Sequence, residues 1–106
     1  VRERQAFSIE EGVKMITMTP AMAWGFVDRG VLRHGGIADI NIFDPATIAP
    51  QIPTIEHDLP TGARRLKQKS DGIMATVIAG KVAFRDGEHT GAQGGKLLRA
   101  SATGVR

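Results

Sequence analysis

Apolar residues recur with a helical period near the start of the chain. Ile9, Val13 and Ile16 fall at i, i+4 and i+7, and Met15 and Met18 widen the stripe. Ser8 stands just before this run and Glu11 three residues later. That pairing is a capping box, in which each side chain satisfies an orphan N–H of the first turn. Gly12 inside the run costs the helix about 1 kcal/mol relative to alanine, so the helix needs a surface to lean on. Thr19-Pro20 is expected to stop this helix and start a second, with Thr19 as N-cap and Pro20 at the first helical position. Residues 21–24 make that short helix, and Gly25 supplies the left-handed residue at its end.

Beyond Gly25 the period shortens to two. Asp28-Arg29-Gly30 and His34-Gly35-Gly36 are turn signals that bracket Val31 and Leu32. Residues 37–43 read as a strand, with Ala38, Ile40 and Ile42 on one face and Asp39 and Asn41 on the other. Asp44-Pro45 ends it, and Asp44 is placed to cap a single turn through Ile48. Residues 49–63 hold Pro50, Pro53, Pro60 and Gly62 with little periodicity, and an extended surface loop is expected there. The strongest strand signal follows: Ile73, Ala75, Val77 and Ala79 alternate with Met74, Thr76 and Ile78. Val82, Ala83 and Phe84 come after Gly80-Lys81, which predicts a tight hairpin. Asp86-Gly87 marks another turn, and Gly91, Gly94 and Gly95 keep the next segment irregular. Residues 96–99 are expected to form a last short strand, and residues 100–106 a disordered tail. The predicted class is mainly β with N-terminal helices. Two helices ahead of four or five short strands is an awkward order for a free-standing domain, since open sheet edges must be paired or covered.

Composition narrows the class. The 106 residues are 42% hydrophobic and 24% charged, ordinary values that exclude a disordered chain. The absence of cysteine excludes disulfide scaffolds and thiolate metal sites. No uninterrupted apolar run reaches transmembrane length, and no membrane partner is expected. The opening Val1-Arg2-Glu3-Arg4 has no Met and no apolar segment behind it, and it is not expected to act as a signal peptide. It reads as an internal position of a longer, cytoplasmic protein. The net charge is +3 and aromatic residues make up 5%, which leaves stacking platforms scarce; no nucleic-acid partner is expected. Arg64, Arg65, Lys67 and Lys69 form the one basic cluster. It reads as a solvated loop, with a phosphate-contacting patch as the alternative.

The residues hold no recognisable catalytic constellation. His34, His57 and His89 are far apart, and neither H-x-H nor H-E-x-x-H spacing occurs. His57-Asp58 places a carboxylate beside an imidazole, but no nucleophile accompanies it. Ser8, Ser70 and Ser101 are a cap, a loop residue and a tail residue, none in a G-x-S-x-G elbow. The string from Gly91 to Lys96 departs from phosphate-loop spacing, and Leu97 stands where a Mg²⁺-binding hydroxyl belongs. Met15, Met18 and Met22 are packing residues, and Glu10-Glu11 belongs to a first helical turn. The expected catalytic, cofactor-binding and metal-ligating residues are therefore none.

Specific strings nonetheless carry a resemblance. Residues 8–13, Thr19-Pro20-Ala21, Trp24-Gly25, residues 28–32 and residues 35–44 resemble the C-terminal end of metal-dependent amidohydrolases. The shared pattern is a helix ending T-x-x-P-A, a D-R-G-x-L stretch and A-D-[LI]-x-[LIV]-F-D. Residues 59–66, 79–82 and 85–92, with Gly95 to Arg99 after them, are similar to the D-aminoacylase (N-acyl-D-amino-acid deacylase) branch. Ala79-Gly80 departs from the Asn-Gly common at that turn, and Trp24-Gly25-Phe26 from a Leu-Gly-Leu-type string.

The resemblance implies a (β/α)₈ barrel with a small β-sandwich assembled from both ends of the chain. Residues 1–25 would be the last barrel helices and residues 26–99 the C-terminal part of the sandwich. The intact parent would be a zinc-dependent hydrolase acting on carbon–nitrogen bonds other than peptide bonds, its substrates N-acyl-D-amino acids. The family's metal ligands and catalytic aspartate come from barrel strands outside this stretch, so no site residue carries over. This chain alone would bind no cofactor and be inactive. Its implied partners are the barrel and N-terminal segment of the parent, and in their absence the exposed stripe predicts self-association. The alternative is an independent β-rich interaction module using its basic loop.

Overall fold

The computed structural model describes residues 4–101, 104 and 105. The opening Val1-Arg2-Glu3 of the sequence reading lies outside them. Helix α1 (Ile9–Ile16) starts where the capping box puts it. The Glu11 N–H donates to Ser8 Oγ at 3.2 Å, and the Ser8 N–H donates to Glu11 Oε2 at 2.9 Å. Helix α2 (Met18–Ala23) follows at once, with Thr17, not Thr19, at its N-cap position and no side-chain cap bond there. The Thr17 hydroxyl donates to the Val13 carbonyl at 2.7 Å and takes the junction. Pro20 thus sits third in the helix instead of first, a position whose N–H would have no intrahelical partner either. Gly25 ends the helix at φ +76°, as expected.

The chain then folds back on α2. The Phe26 N–H donates to the Ala21 carbonyl at 2.8 Å, and the Ile37 N–H to the Asp28 carbonyl at 3.0 Å. Gly30 is required twice over in this return. Its φ is +93°, and a Cβ there would lie 2.8 Å from the Ala21 Cβ.

Ten strands are present among the described residues: β1 (Ile40–Phe43), β2 (Ala49–Pro50), β3 (Thr54–Glu56), β4 (Arg65–Lys67), β5 (Ser70–Asp71), β6 (Ile73–Ile78), β7 (Lys81–Arg85), β8 (Glu88–His89), β9 (Ala100–Ser101) and β10 (Gly104–Val105). An antiparallel sheet has the order β1-β6-β7-β8. Strand β1 is shorter than the alternation predicts. Residues 38 and 39 instead bind the far end of the β6–β7 hairpin, where the Gly80 N–H donates to the Ala38 carbonyl at 3.0 Å and the Ala79 N–H to Asp39 Oδ1 at 2.8 Å.

Residues 49–63 are not the loop that was expected. Strand β2 pairs with β5 and β3 with β4, joined by the Gln51 N–H donating to the Lys69 carbonyl at 2.9 Å. The result is a two-stranded arm with a 3₁₀ turn, Pro60–Gly62, near its tip. Each of its strands holds two or three residues, too few to establish a period of two, and Pro50 and Pro53 mask what remains. Residues 96–99 form no strand. The pairing of β9 with β10 lies in the stretch expected to be a disordered tail, and residues 102, 103 and 106 of that stretch are outside the described ones.

Cross-strand register assigns the two sheet faces. Ile40, Ile42, Ala75, Val77 and Val82 share one with Arg85 and Glu88, and Asn41, Thr76, Phe84 and His89 lie on the other. The two helices pack on each other, and neither lies across the sheet. Among the described residues only Ala21 and Ala83 are buried apolar groups. The radius of gyration is 16.0 Å, against about 13 Å for a compact domain of this length. The accessible surface is 8599 Å², against about 5,800 Å² for a compact monomer of 11.4 kDa. The chain is an open, flat assembly of elements, 41 × 39 × 22 Å.

Ala79 and Gly80 turn the hairpin with φ of +49° and +81°, the primed geometry that matches strand twist. Alanine occupies this left-handed position at a cost of about 1 kcal/mol, and asparagine adopts it more readily. Ala79→Asn is expected to stabilise the chain by about 0.5–1 kcal/mol in urea unfolding, with an unchanged denaturant slope.

Candidate functional site

The residues of the A-D-I-N-I-F-D string surround β1 and tie it down at both ends. Asp39, before the strand, accepts from Arg29 Nε at 3.1 Å through Oδ2 while its Oδ1 takes the Ala79 N–H. Arg29 also pairs with Asp28 Oδ1 at 3.0 Å, and its side chain is 20% exposed. Asp44, after the strand, caps the next turn: Oδ1 accepts from the Ala46 N–H at 2.9 Å, and its carbonyl accepts from Ile48 N–H at 3.0 Å. Its own N–H donates to the Gly72 carbonyl at 2.8 Å. The D-R-G and A-D strings thus form one half-buried ion-pair knot, whose acids and base are already engaged with one another. This is a positioning device and leaves no free acid–base pair.

The histidines stay apart. His34 and His57 are exposed. His89 packs edge-on against Phe84, with ring centroids 5.1 Å apart, and its Nδ1 accepts from the Gly91 N–H at 3.0 Å. Asp58 does not orient His57; both its oxygens accept from the Arg65 guanidinium. That bidentate contact, helped by the positive charge of Lys67, holds the Asp58 carboxyl at about 2, below its ordinary 3.8. Arg65 is therefore paired within the basic cluster. Gly94 passes so close to β6 that a Cβ would lie 2.7 Å from the Ile78 carbonyl oxygen, which gives that glycine a packing role and not a phosphate-binding one. Among the described residues, no group of three or more His, Cys, Asp or Glu side chains converges as metal ligands would.

What the fold does present is apolar surface and an open cleft. On the arm, register places Ile55 and Leu66 together on one face, 60% and 73% exposed, and Thr54, Glu56, Arg65 and Lys67 on the other. On α1, Ile16 is 77% exposed, and Trp24 after α2 is 72% exposed. Between the arm and the sheet lies a cleft of about 700 Å³, with Lys67 and Lys69 on one side and Asp86 and Glu88 on the other. Its opposite charges favour no ligand of single sign. No helix of the described residues is long and apolar enough to cross a membrane.

Comparison with known proteins gives these features a context. The model of the Amidohydrolase family matches residues 1–84. The chain belongs to the amidohydrolase family. Three relatives from Alcaligenes xylosoxydans xylosoxydans carry the match further. An N-acyl-D-aspartate deacylase is 36% identical over 93 residues, 88% of this chain and 17% of the relative. A D-aminoacylase is 32% identical over 101 residues, 95% of this chain and 19% of the relative. An N-acyl-D-glutamate deacylase is 31% identical over 103 residues, 97% of this chain and 19% of the relative. They place this amidohydrolase chain in the D-aminoacylase branch, and it spans under a fifth of each relative's length. No solved structure matches it.

Asp39, expected only on the polar face of a strand, instead ties Arg29 to the hairpin turn at Ala79. The signal available was its position beside Ala38 at the start of an alternating run, opposite a hairpin turn far along the chain. Asp39→Ala removes the Arg29 pair and the acceptor for the Ala79 N–H together. It is expected to cost about 1–2 kcal/mol in urea unfolding, with Asp39→Asn, which keeps an acceptor, costing less. The Asp58–Arg65 pair makes a pH prediction. Because the folded carboxyl titrates below its ordinary value, its contribution is complete above about pH 4 and is lost as pH falls toward 2. An NMR titration should find the Asp58 carboxyl near 2, and Arg65→Ala should return it to the ordinary range.

Proposed function

We propose that this chain is the C-terminal, non-catalytic segment of an amidohydrolase whose intact form hydrolyses the amide of N-acyl-D-amino acids. The observation that carries the reading is the match of three deacylases across nearly all of this chain, within less than a fifth of their own lengths. The open architecture supports it. A segment that completes a larger enzyme exposes the apolar faces its neighbours cover, as Ile16, Trp24, Ile55 and Leu66 are exposed here. In this reading residues 1–25 are the last helices of a barrel, with the Ile9, Val13 and Ile16 stripe against barrel strands. Residues 26–99 are one part of a composite β-sandwich.

The zinc implied by the family resemblance is not fitted by these residues. A catalytic zinc needs three protein ligands and an open position. His34, His57 and His89 occupy separate turns and strands, and the carboxylates Asp28, Asp39, Asp44 and Asp58 are engaged in ion pairs or caps. The segment's work is therefore structural: Asp39 and Asp44 fix β1, and β1 with the arm offers surface to the remainder of the enzyme.

The purified chain, incubated with zinc and with N-acetyl-D-aspartate, N-acetyl-D-glutamate or an N-acetylated neutral D-amino acid, should release no D-amino acid. Elemental analysis should find zinc well below one per chain. Stoichiometric zinc or measurable deacylation would overturn the reading. Sequencing of the coding DNA ahead of Val1 should show an in-frame continuation encoding H-x-H-type barrel strands.

A further inference from the structure

The arm leaves the sheet through a narrow neck. At its base the Asp44 N–H donates to the Gly72 carbonyl at 2.8 Å. Gly72 has a φ of +79°, and a Cβ there would lie 2.6 Å from the Ile48 nitrogen. The two ends of the arm thus touch backbone to backbone, at a residue only glycine suits. Beyond the neck, the arm strands pair only with one another among the described residues. The arm is also stiff. Gln51 Nε2 donates to Asp71 Oδ1 at 2.7 Å, Gln68 Nε2 donates to the Gln51 carbonyl at 2.8 Å, and Arg65 holds Asp58 through two bonds. A stiff element on a short neck moves as one body about that neck.

Opposite charges face each other across the cleft that separates the arm from the sheet. Lys67 and Lys69 stand on the arm wall, Asp86 and Glu88 on the wall formed by the β7–β8 turn and β8, and all four are exposed. The ion pairs among the described residues join Arg29 to Asp28 and Asp39, and Arg65 to Asp58. They leave the four cleft charges without a salt-bridge partner. The other titratable groups lining the cleft are engaged: Asp71 accepts from Gln51, and His89 accepts from the Gly91 N–H. Between the walls lie Met74 and Phe84, 46% and 41% exposed. Attraction across the cleft and burial of this apolar floor act in the same direction. The arm is already ordered, so closing it costs little further chain entropy.

We propose that residues 49–71 form a lid, which swings about the Asp44–Gly72 neck until Lys67 and Lys69 pair with Asp86 and Glu88 over Met74 and Phe84. The closing face is the polar one. Ile55 and Leu66 lie on the other face of the arm and do not line the cleft, so they stay outward in both positions. Exposed ion pairs are individually weak and screened by salt. Open and closed positions therefore exchange, and ionic strength sets their balance. The lid depends on charges within this chain alone, and its failure would leave the amidohydrolase reading untouched.

The test uses the 106-residue chain. A carbodiimide couples a lysine amine to a carboxylate only when the two are in contact. At about 20 mM salt, mass spectrometry should find Lys67 or Lys69 joined to Asp86 or Glu88, with the yield falling about fivefold or more at about 0.5 M. A mixture of ¹⁴N and ¹⁵N chains should place these links within single chains. The chain has no cysteine, so Leu66→Cys takes a single spin label on the outer face of the arm. At low salt that label should broaden the amides of residues 84–89. Reversing the sheet charges with Asp86→Lys and Glu88→Lys should reduce the broadening about threefold or more, and adding Lys67→Glu and Lys69→Glu should restore it. A damaged fold would not be restored by a second reversal. Links found only between chains, broadening indifferent to salt and to the reversals, or a loss that the second reversal does not restore would each overturn the proposal.

Discussion

The carboxylate of Asp39 joins the helical segment to the sheet, accepting from Arg29 on one side and from the hairpin turn at Ala79 on the other. Little else connects them, because neither helix packs across the sheet and only Ala21 and Ala83 are buried among the described residues. Polar ties of this kind are directional and set geometry well. Each contributes only about 1 kcal/mol net, since water competes for the same groups. The fold's shape is thus specified by capped turns and ion pairs, while the apolar burial that stabilises ordinary domains is left incomplete.

That division explains the surface. Apolar side chains on α1, the arm and the β1 edge are grouped on faces, which is the pattern of elements meant to pack against something. An isolated two-stranded arm is marginal in water. Here it is internally laced by the Gln51–Asp71 and Gln68–Gln51 hydrogen bonds, which fix its shape ahead of any contact. The chain belongs to the amidohydrolase family and spans less than a fifth of the length of its deacylase relatives; in the proposed reading, the rest of such an enzyme would cover these faces.

Legibility in the sequence followed the range of the interactions. The capping box of Ser8 and Glu11 spans three residues, and the structure reproduces it bond for bond. The alternation of 73–78 and the glycine turn after it were likewise local and visible, although Ala79 belongs to the turn and not to the strand. The second helix began two residues earlier than expected: Thr17 stands at its N-cap without a side-chain cap bond, its hydroxyl donating back to the Val13 carbonyl of α1. The arm escaped detection since its strands are two or three residues long and become strands only by pairing across 9 to 22 positions. The partner of Asp58 shows the same dependence on range: its engagement with Arg65 in place of His57 required the arm to fold first.

By itself the sequence determined the family, the strand-rich class with leading helices and the local caps and turns, because these depend on neighbouring residues and on strings shared with relatives. Only the tertiary structure decided that residues 49–71 form an arm, that Asp39 and Asp44 anchor β1, and that β1 lies at the edge of the sheet. Those features arise from pairings between distant segments, and the identity of an edge strand is a property of the whole sheet order. A four-residue string such as Ile40 to Phe43 reads the same at the centre of a sheet as at its rim.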